Sequence, residues 1–516
     1  MRPHPGRTVP ARLSPLAVPL AAILASFVPP SPLARAAEPA VAPAEAANPT
    51  LAGQIDLLLE APILADAAIG IHVVDLETGK ALYSRGADVP LNPASNVKLL
   101  TTAAALIALG PEHRYATRLL RDDGALSGSV IKGDVYLQGS GDPNLVTEDL
   151  VALASELHAR GIRRITGGVV VDSTRFDKDE LPPGFDQKDE LASYRAPSSA
   201  TSINFNTFVV RAAPGAKVGD AALVGLDPRV GGVTLTNTAT TVAGHKRKLF
   251  ADVEPDGTGV KIEIRGTIGE DAAPAKYRYP VVSPSRNAGE VLLLALKQQG
   301  IKVGRKAVRI APAPRDARGL AAHFSEPLSS LIRSVNKFSN NFMAEQVLKT
   351  LSPEGKPATF ADASAKEREV LKSLGIELDT AKLTNGSGLY DTNRVSPAQV
   401  TSLLEAMYGD FRYRSDFLAS LAVMGVDGTT RSRLSETDAT RWVRVKTGTL
   451  DGISALSGYV GARGRAPIVF SVLFNALPRG GTAAAREVQN EIALMLSRYA
   501  GGRPLRPSDE AAANGP

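Results

Sequence analysis

The sequence predicts a mixed α/β protein of more than one domain, in which helix-rich ends enclose a β-rich middle. Three observations carry this. The chain has 516 residues, too many for one ordinary domain and enough for two to four. Helical spacing of apolar residues is clear near residue 100 and returns only after residue 288. Between 116 and 282, short alternating segments recur, punctuated by Gly, Pro and Asp.

The elements follow in order. Arg2, Arg7 and Arg12 form a basic start, 16–28 is short and apolar, and Ala34-Arg35-Ala36 supplies a small-x-small cleavage site. Pro19, Pro29, Pro30 and Pro32 argue against a core helix there. Residues 1–36 are therefore expected to be a secretory signal, which implies a periplasmic or otherwise secreted protein. An Ala/Pro-rich linker follows at 37–47. Segments 69–75 and 80–84 flank a Glu77-Thr78-Gly79 turn and predict a β-hairpin. Pro93 precedes a helical run over 95–109, which Gly110 and Pro111 end. The stretch 99–107 is apolar nearly all round, so this helix belongs in a core.

The β-rich middle carries one helix near 147–160. Helices return at 288–299 and 327–348. In the second, Leu328, Leu331, Ile332, Val335, Phe338, Phe342 and Met343 keep one helical stripe. Strands are expected at 442–446, 455–460 and 468–474, then a helix over 484–499 and a disordered tail over 504–516.

Composition removes several function classes. The net charge of +6 falls to +2 once the four arginines of residues 1–36 are set aside, because no acid accompanies them. His245-Lys246-Arg247-Lys248 is the single basic cluster, so no nucleic-acid partner is expected. No later stretch reaches the ~20 apolar residues of a membrane span, so none is expected after signal cleavage. Without cysteine there is neither a disulfide nor a thiolate nucleophile. The six histidines form no His-x-x-x-His pair, and no metal or other cofactor is called for.

Three short patterns could carry chemistry: Ser95-Asn96-Val97-Lys98, Ser339-Asn340-Asn341 and Lys446-Thr447-Gly448. Each alone is weak. Ser-x-x-Lys recurs at Ser334, and Ser-x-Asn recurs at Ser202, Ser285 and Ser334. Taken singly, they read more simply as a capping serine with a snorkelling lysine, a helix-bend serine and a strand end. Taken together they describe one site. Ser95 and Lys98 share a helix face, and the helix start favours developing negative charge. The apolar turns that follow would bury Lys98 and lower its pKa. A lysine base active near neutrality needs a drop of roughly 3 units, and Lys446 could add a second cation nearby. Gly448 would let a substrate backbone approach, while Lys446, Thr447 and Thr449 would bind a carboxylate.

At this point the chain resembles the class C low-molecular-mass penicillin-binding proteins, the D-alanyl-D-alanine carboxypeptidase/endopeptidase family. The stretches 92–98, 336–341, 385–389, 425–429 and 445–449 carry the likeness, with 141–145 and 202–204 also familial. It runs from about residue 50 to 500. Ser95 and Ser339 lie 244 positions apart, the place where such proteins carry inserted domains and β-lactamases do not. One departure is Asp391, where relatives often carry arginine; the nearest here is Arg394.

The resemblance implies a serine β-lactamase/DD-peptidase-like α/β sandwich: a five-stranded antiparallel sheet between helices, built from 48–115 and 283–503. It also implies two inserted β-rich domains, one at 116–212 with 271–282 and one nested at 213–270. It implies a serine peptidase that cuts the D-Ala-D-Ala end of peptidoglycan peptides and is acylated by β-lactams. Ser95 would be the nucleophile, Lys98 its base and Ser339 a proton relay. Asn341 would bond the acyl chain, and Lys446, Thr447, Gly448 and Thr449 would line the carboxylate site. Asp142 would take part in substrate recognition; a turn aspartate before Pro143 is the other reading. A serine β-lactamase, a general esterase and a non-catalytic cell-wall binding protein remain open on the residues alone.

Overall fold

The structure is a computed structural model that describes residues 50–505, apart from 229–231 and 258. The expected leader at 1–36, the linker at 37–47 and nearly all of the 504–516 tail lie outside the described residues.

Six antiparallel strands make the main sheet. Their order is Ala422–Val423, Val443–Leu450, Ile453–Ala462, Arg465–Asn475, Ala68–Asp75 and Lys80–Arg85. The expected five strands are present, and the sixth is a two-residue edge. Side chains alternate between the faces, so each strand feeds two cores. Ile71, Val73, Val445, Leu456 and Phe470 pack on one face against Ile55 of helix Leu51–Leu59 and Ile492 and Leu496 of helix Thr482–Ala500. Val74, Tyr459 and Val469 face the other way, toward Leu99, Leu100 and Ala103 of helix Val97–Leu109 and Leu403 of helix Pro397–Gly409. The result is the helix–sheet–helix sandwich that the resemblance implied. The all-round apolar helix at 97–109 is buried as its composition demands.

Between these layers the chain makes a long excursion. A five-stranded mixed sheet runs in the order Arg309–Ile310, Val169–Asp172, Val135–Gln138, Ala116–Arg121, Arg318–Phe324. Its core includes Leu150 and Leu157 of helix Thr147–Ala159 and Val291, Leu292 and Leu296 of helix Pro284–Gln298. The expected return to the main domain at 283 is therefore too early. The apolar face of helix Pro284–Gln298 is spent on this inserted sheet, whose last strand ends at Phe324. The nested β body is also wider than 213–270. Thr207–Ala213 pairs with Ala275–Pro280, and both share its core.

The expected single helix over 327–348 is two helices, Leu328–Lys337 and Asn341–Thr350. Ser339 sits between them at φ +57°, a left-handed conformation that interrupts the α-helical hydrogen-bond ladder. Asn340 then caps the second helix, its side chain accepting from the Met343 N–H at 3.1 Å. Phe338 loses its place on the stripe and is 69% exposed. The break turns the Ser339 hydroxyl toward the main sheet. Replacing Asn340 by Ala should cost about 1 kcal/mol of stability in urea denaturation; an unchanged midpoint would show that the cap is idle.

Candidate active site

Ser95 lies in a short 3₁₀ turn, Ala94–Asn96, that opens into helix Val97–Leu109. Lys98 follows on the first turn of that helix and is 0% exposed. Its ammonium reaches three acceptors: Ser95 Oγ at 3.0 Å, Asn341 Oδ1 at 2.8 Å and the Ser387 carbonyl at 2.6 Å. Those are as many as an ammonium can serve. A neutral amine keeps two N–H bonds and gains a lone pair. Asn341 and Ser387 can hold those two, which leaves the lone pair facing the Ser95 hydroxyl.

Burial lowers the Lys98 pKa to about 7, against an opposing pull from the Glu345 carboxylate. A base poised near neutrality can take a proton without a strong one beside it. Glu345, one helical turn beyond Asn341, is itself buried, and burial pushes its pKa up. It accepts the Gly386 N–H at 3.0 Å and the Ser387 N–H at 2.8 Å. It thereby fixes the loop whose carbonyl holds Lys98.

The third segment arrives on strand Val443–Leu450. Lys446 is 0% exposed and donates to Ser339 Oγ at 2.9 Å and to the Thr447 carbonyl at 2.7 Å. Burial and then repulsion from Lys98 hold its pKa well below the ordinary lysine value. Strand alternation separates it from its neighbours. Val445 belongs to the opposite core, and Thr447 turns away to bond Thr429 Oγ1 at 2.7 Å. Lys98 thus holds Ser95 and Asn341, Lys446 holds Ser339, and the two groups, drawn from three remote segments, lie near enough for the amines to repel each other. This is the equipment of nucleophilic acyl transfer: a hydroxyl, an adjacent base and a second hydroxyl–amine pair.

The D-Ala-D-Ala carboxypeptidase 3 (S13) family model matches residues 51–499. A D-alanyl-D-alanine carboxypeptidase of Actinomadura sp. (strain R39) is 38% identical over 482 residues, covering 90% of this chain and 88% of that protein. The chain is a member of the S13 family. The fold agrees with the crystal structure of penicillin binding protein 4 (dacB) from Haemophilus influenzae, at TM-score 0.73 and 23% identity, over 86% of this chain and 99% of that one. The same Haemophilus protein complexed with a β-lactam matches at TM-score 0.70 and 22% identity, over 87% and 99% of the two chains.

In this S13 chain, three of the expected site residues have further neighbours. Gly448 does not hold space for a substrate alone. A Cβ there would stand 2.8 Å from the Pro93 carbonyl and 3.1 Å from Ala94 Cβ, so the missing side chain admits the nucleophile's own turn. Lys446 is turned to Ser339 rather than to the side of Thr447 and Thr449. Asp142 is in neither group. Its Oδ1 accepts the Asn144 N–H at 2.8 Å, closing a turn, and its other oxygen faces His323 at 3.8 Å. Burial raises its pKa to about 6.

Other contributors went unassigned in the sequence. Glu345 carried a usable signal: an acid four residues after Asn341 on an apolar helix face. The Tyr194 carbonyl, which accepts from Asn341 Nδ2 at 3.2 Å, carried none, because a single 3₁₀ turn of the insertion, Ser193–Arg195, delivers it. Gly388, at φ +73°, backs onto the Ala94 carbonyl, which a Cβ would approach to 1.9 Å.

Two outcomes follow for kinetics. Below about pH 7 Lys98 is protonated and cannot accept the Ser95 proton, so the acylation rate should rise with pH through that value. Glu345→Gln removes a charge that raises the Lys98 pKa, so this limb should move to lower pH. A stopped-flow pH profile that stays flat, or moves upward in the variant, refutes the assignment of Lys98 as base. Gly388→Ala should slow acylation by driving a side chain into the Ser95 turn, and unaltered rates would show the contact to be slack.

Proposed function

We infer that this chain is a serine D-alanyl-D-alanine carboxypeptidase that works through a Ser95 acyl-enzyme on peptidoglycan stem peptides. The supporting observation is the Lys98–Ser95 contact at 3.0 Å beside a second hydroxyl–amine pair, Ser339 and Lys446. Lys98 takes the Ser95 proton and Ser95 Oγ attacks the carbonyl between the two D-alanines. The backbone N–H groups of Ser95 and Thr449 hold the oxyanion, a term commonly worth ~3–4 kcal/mol for one donor. Ser339, held by Lys446, passes a proton to the departing amine. Asn341 bonds the acyl chain, and Thr447 and Thr449 meet the free carboxylate. Water then releases the acyl group. The same attack opens a D-alanyl cross-link, which is the endopeptidase reaction.

Penicillins present a strained amide beside a carboxylate and acylate the same hydroxyl. The protein acts outside the cytoplasm, periplasmic or secreted, where its substrate lies. The composition of residues 1–36 supports export, and among the described residues no helix is long and apolar enough to cross a membrane.

Mass spectrometry after incubation with penicillin tests this reading. Wild type should gain one penicilloyl mass on the peptide containing Ser95, and Ser95→Ala should gain none. An adduct elsewhere, or none on wild type, refutes the site; rapid release of hydrolysed penicillin would indicate a β-lactamase instead.

A further inference from the structure

Behind Lys98, helix Val97–Leu109 meets a second buried acid that the mechanism above does not use. Glu367 is 0% exposed on helix Phe360–Ser373, whose Ala363, Val370 and Leu371 enter the same core as Leu99 and Leu100. Its Oε1 lies 2.9 Å from Thr101 Oγ1, and the Gly386 carbonyl lies 3.1 Å from that same hydroxyl. That carbonyl belongs to the peptide unit whose N–H, on Ser387, is held by Glu345. The next carbonyl along is the one of Ser387 that accepts from Lys98. Two buried acids therefore grip one peptide unit from opposite ends, and the loop so gripped aims an acceptor at the base.

The count of hydrogens decides how the grip works. A threonine hydroxyl carries one hydrogen and accepts on its lone pairs. It cannot donate fully to both the Gly386 carbonyl and an ionised Glu367. If Glu367 were ionised and took that hydrogen, the carbonyl would lose its donor. Glu367 Oε2, buried without a partner among the described residues, would then share a charge that no other donor meets. If Glu367 is the neutral acid, Oε1–H donates to Thr101, Thr101 donates to Gly386, and both contacts are made. Glu345 differs: two backbone N–H groups donate to it, the partners that suit a carboxylate. Of two carboxyl groups in one dry space, one keeps its proton, and the partners assign that proton to Glu367. Burial raises the Glu367 pKa to about 8; a Thr101 hydrogen bond to the ionised form would oppose this, and the Glu345 charge adds to it. Arg368, on the same helix, pulls the other way but turns its guanidinium to the Leu378 and Ala381 carbonyls.

We propose that Glu367 is a positioning residue for acylation: as the neutral acid it donates to Thr101, Thr101 donates to the Gly386 carbonyl, and the loop thus fixed holds the Ser387 carbonyl against Lys98. Its part in acylation rests on the Ser95 acyl-enzyme reading. Loss of the proton reverses the relay. Thr101 then turns its hydrogen to the carboxylate, the Gly386 carbonyl is released, and Glu345 gains a like charge behind the loop. Lys98 supplies an acid limb near pH 7 and Glu367 an alkaline limb near pH 8, so the acylation rate passes through a maximum between them.

Three measurements on the full chain test this. In infrared difference spectra near neutral pH, wild type should show a protonated-carboxyl band that Glu367→Gln lacks and that fades as the pH passes about 8; no such band overturns the proposal. In urea, the unfolded chain ionises this group near the ordinary carboxylate pKa and the folded chain only near pH 8. Between those values the folded state holds the extra proton, so stability falls as pH rises. The Glu367→Gln midpoint should therefore gain on wild type from about pH 5 to about pH 8, and a constant gap overturns the proposal. In stopped-flow acylation by penicillin, Glu367→Leu and Thr101→Val should be slowed roughly tenfold, the scale of one buried hydrogen bond. Glu367→Gln, a neutral donor at every pH, should recover the rate and lose the alkaline limb; a limb that persists in it overturns the proposal. Should Glu367→Leu fail to fold, Thr101→Val and Glu367→Gln keep the kinetic readout. If penicillin never reaches Ser95, the acyl-enzyme reading falls, while the infrared and urea results still decide the proton on Glu367.

Discussion

A primary amine enclosed in an apolar helix loses the hydration that stabilises its charge, and Lys98 is such an amine. Everything around it answers that loss. Asn341, Ser387 and Ser95 replace the missing water molecules as acceptors. Glu345 steadies the loop that brings the Ser387 carbonyl and limits how far burial lowers the basicity. Without the enclosing core of Leu99, Leu100 and Ala103, the amine would keep its hydration and stay charged at neutral pH. Packing and basicity are thus one fact here: the helix buried in a core also lowers the pKa of its first-turn lysine.

The second amine shows the same physics from another direction. Lys446 is buried beside Lys98 and carries the repulsion between them. Two like charges in one dry space resist joint protonation, so the pair holds fewer protons than two surface lysines would. Ser339 sits against Lys446 because its backbone is left-handed, a conformation few side chains adopt without support. Asn340 provides part of that support by capping the next helix.

Much of this was legible in the residues. Alternation marked the strands around Lys446, and the unbroken apolar run at 99–107 marked a buried helix and therefore a perturbed lysine. What was not legible has identifiable causes. A continuous apolar stripe from Leu328 to Met343 hid the break, because the stripe resumes in phase after Asn340. The contact of Lys446 with Ser339, on the strand face opposite Thr447, was not marked by the residue pattern either. For Asp142 the tripeptide left substrate recognition and a turn aspartate side by side, and the structure adds the turn bond from Asn144. The return from the insertion was misplaced because helix Pro284–Gln298 has a normal amphipathic face, and nothing in such a face names the sheet it will cover.

The strand Ala68–Asp75, next to the edge of the main sheet, takes its inner neighbour from Arg465–Asn475, nearly at the other end of the chain. A polypeptide emerging from a ribosome or a secretion channel must therefore carry its serine for hundreds of residues before the sheet can close. During that interval the hydroxyl lacks the amine at 446 that holds Ser339. The Ser339–Lys446 pair is completed last, with the carboxyl-terminal strands, so an unfinished or clipped copy lacks it.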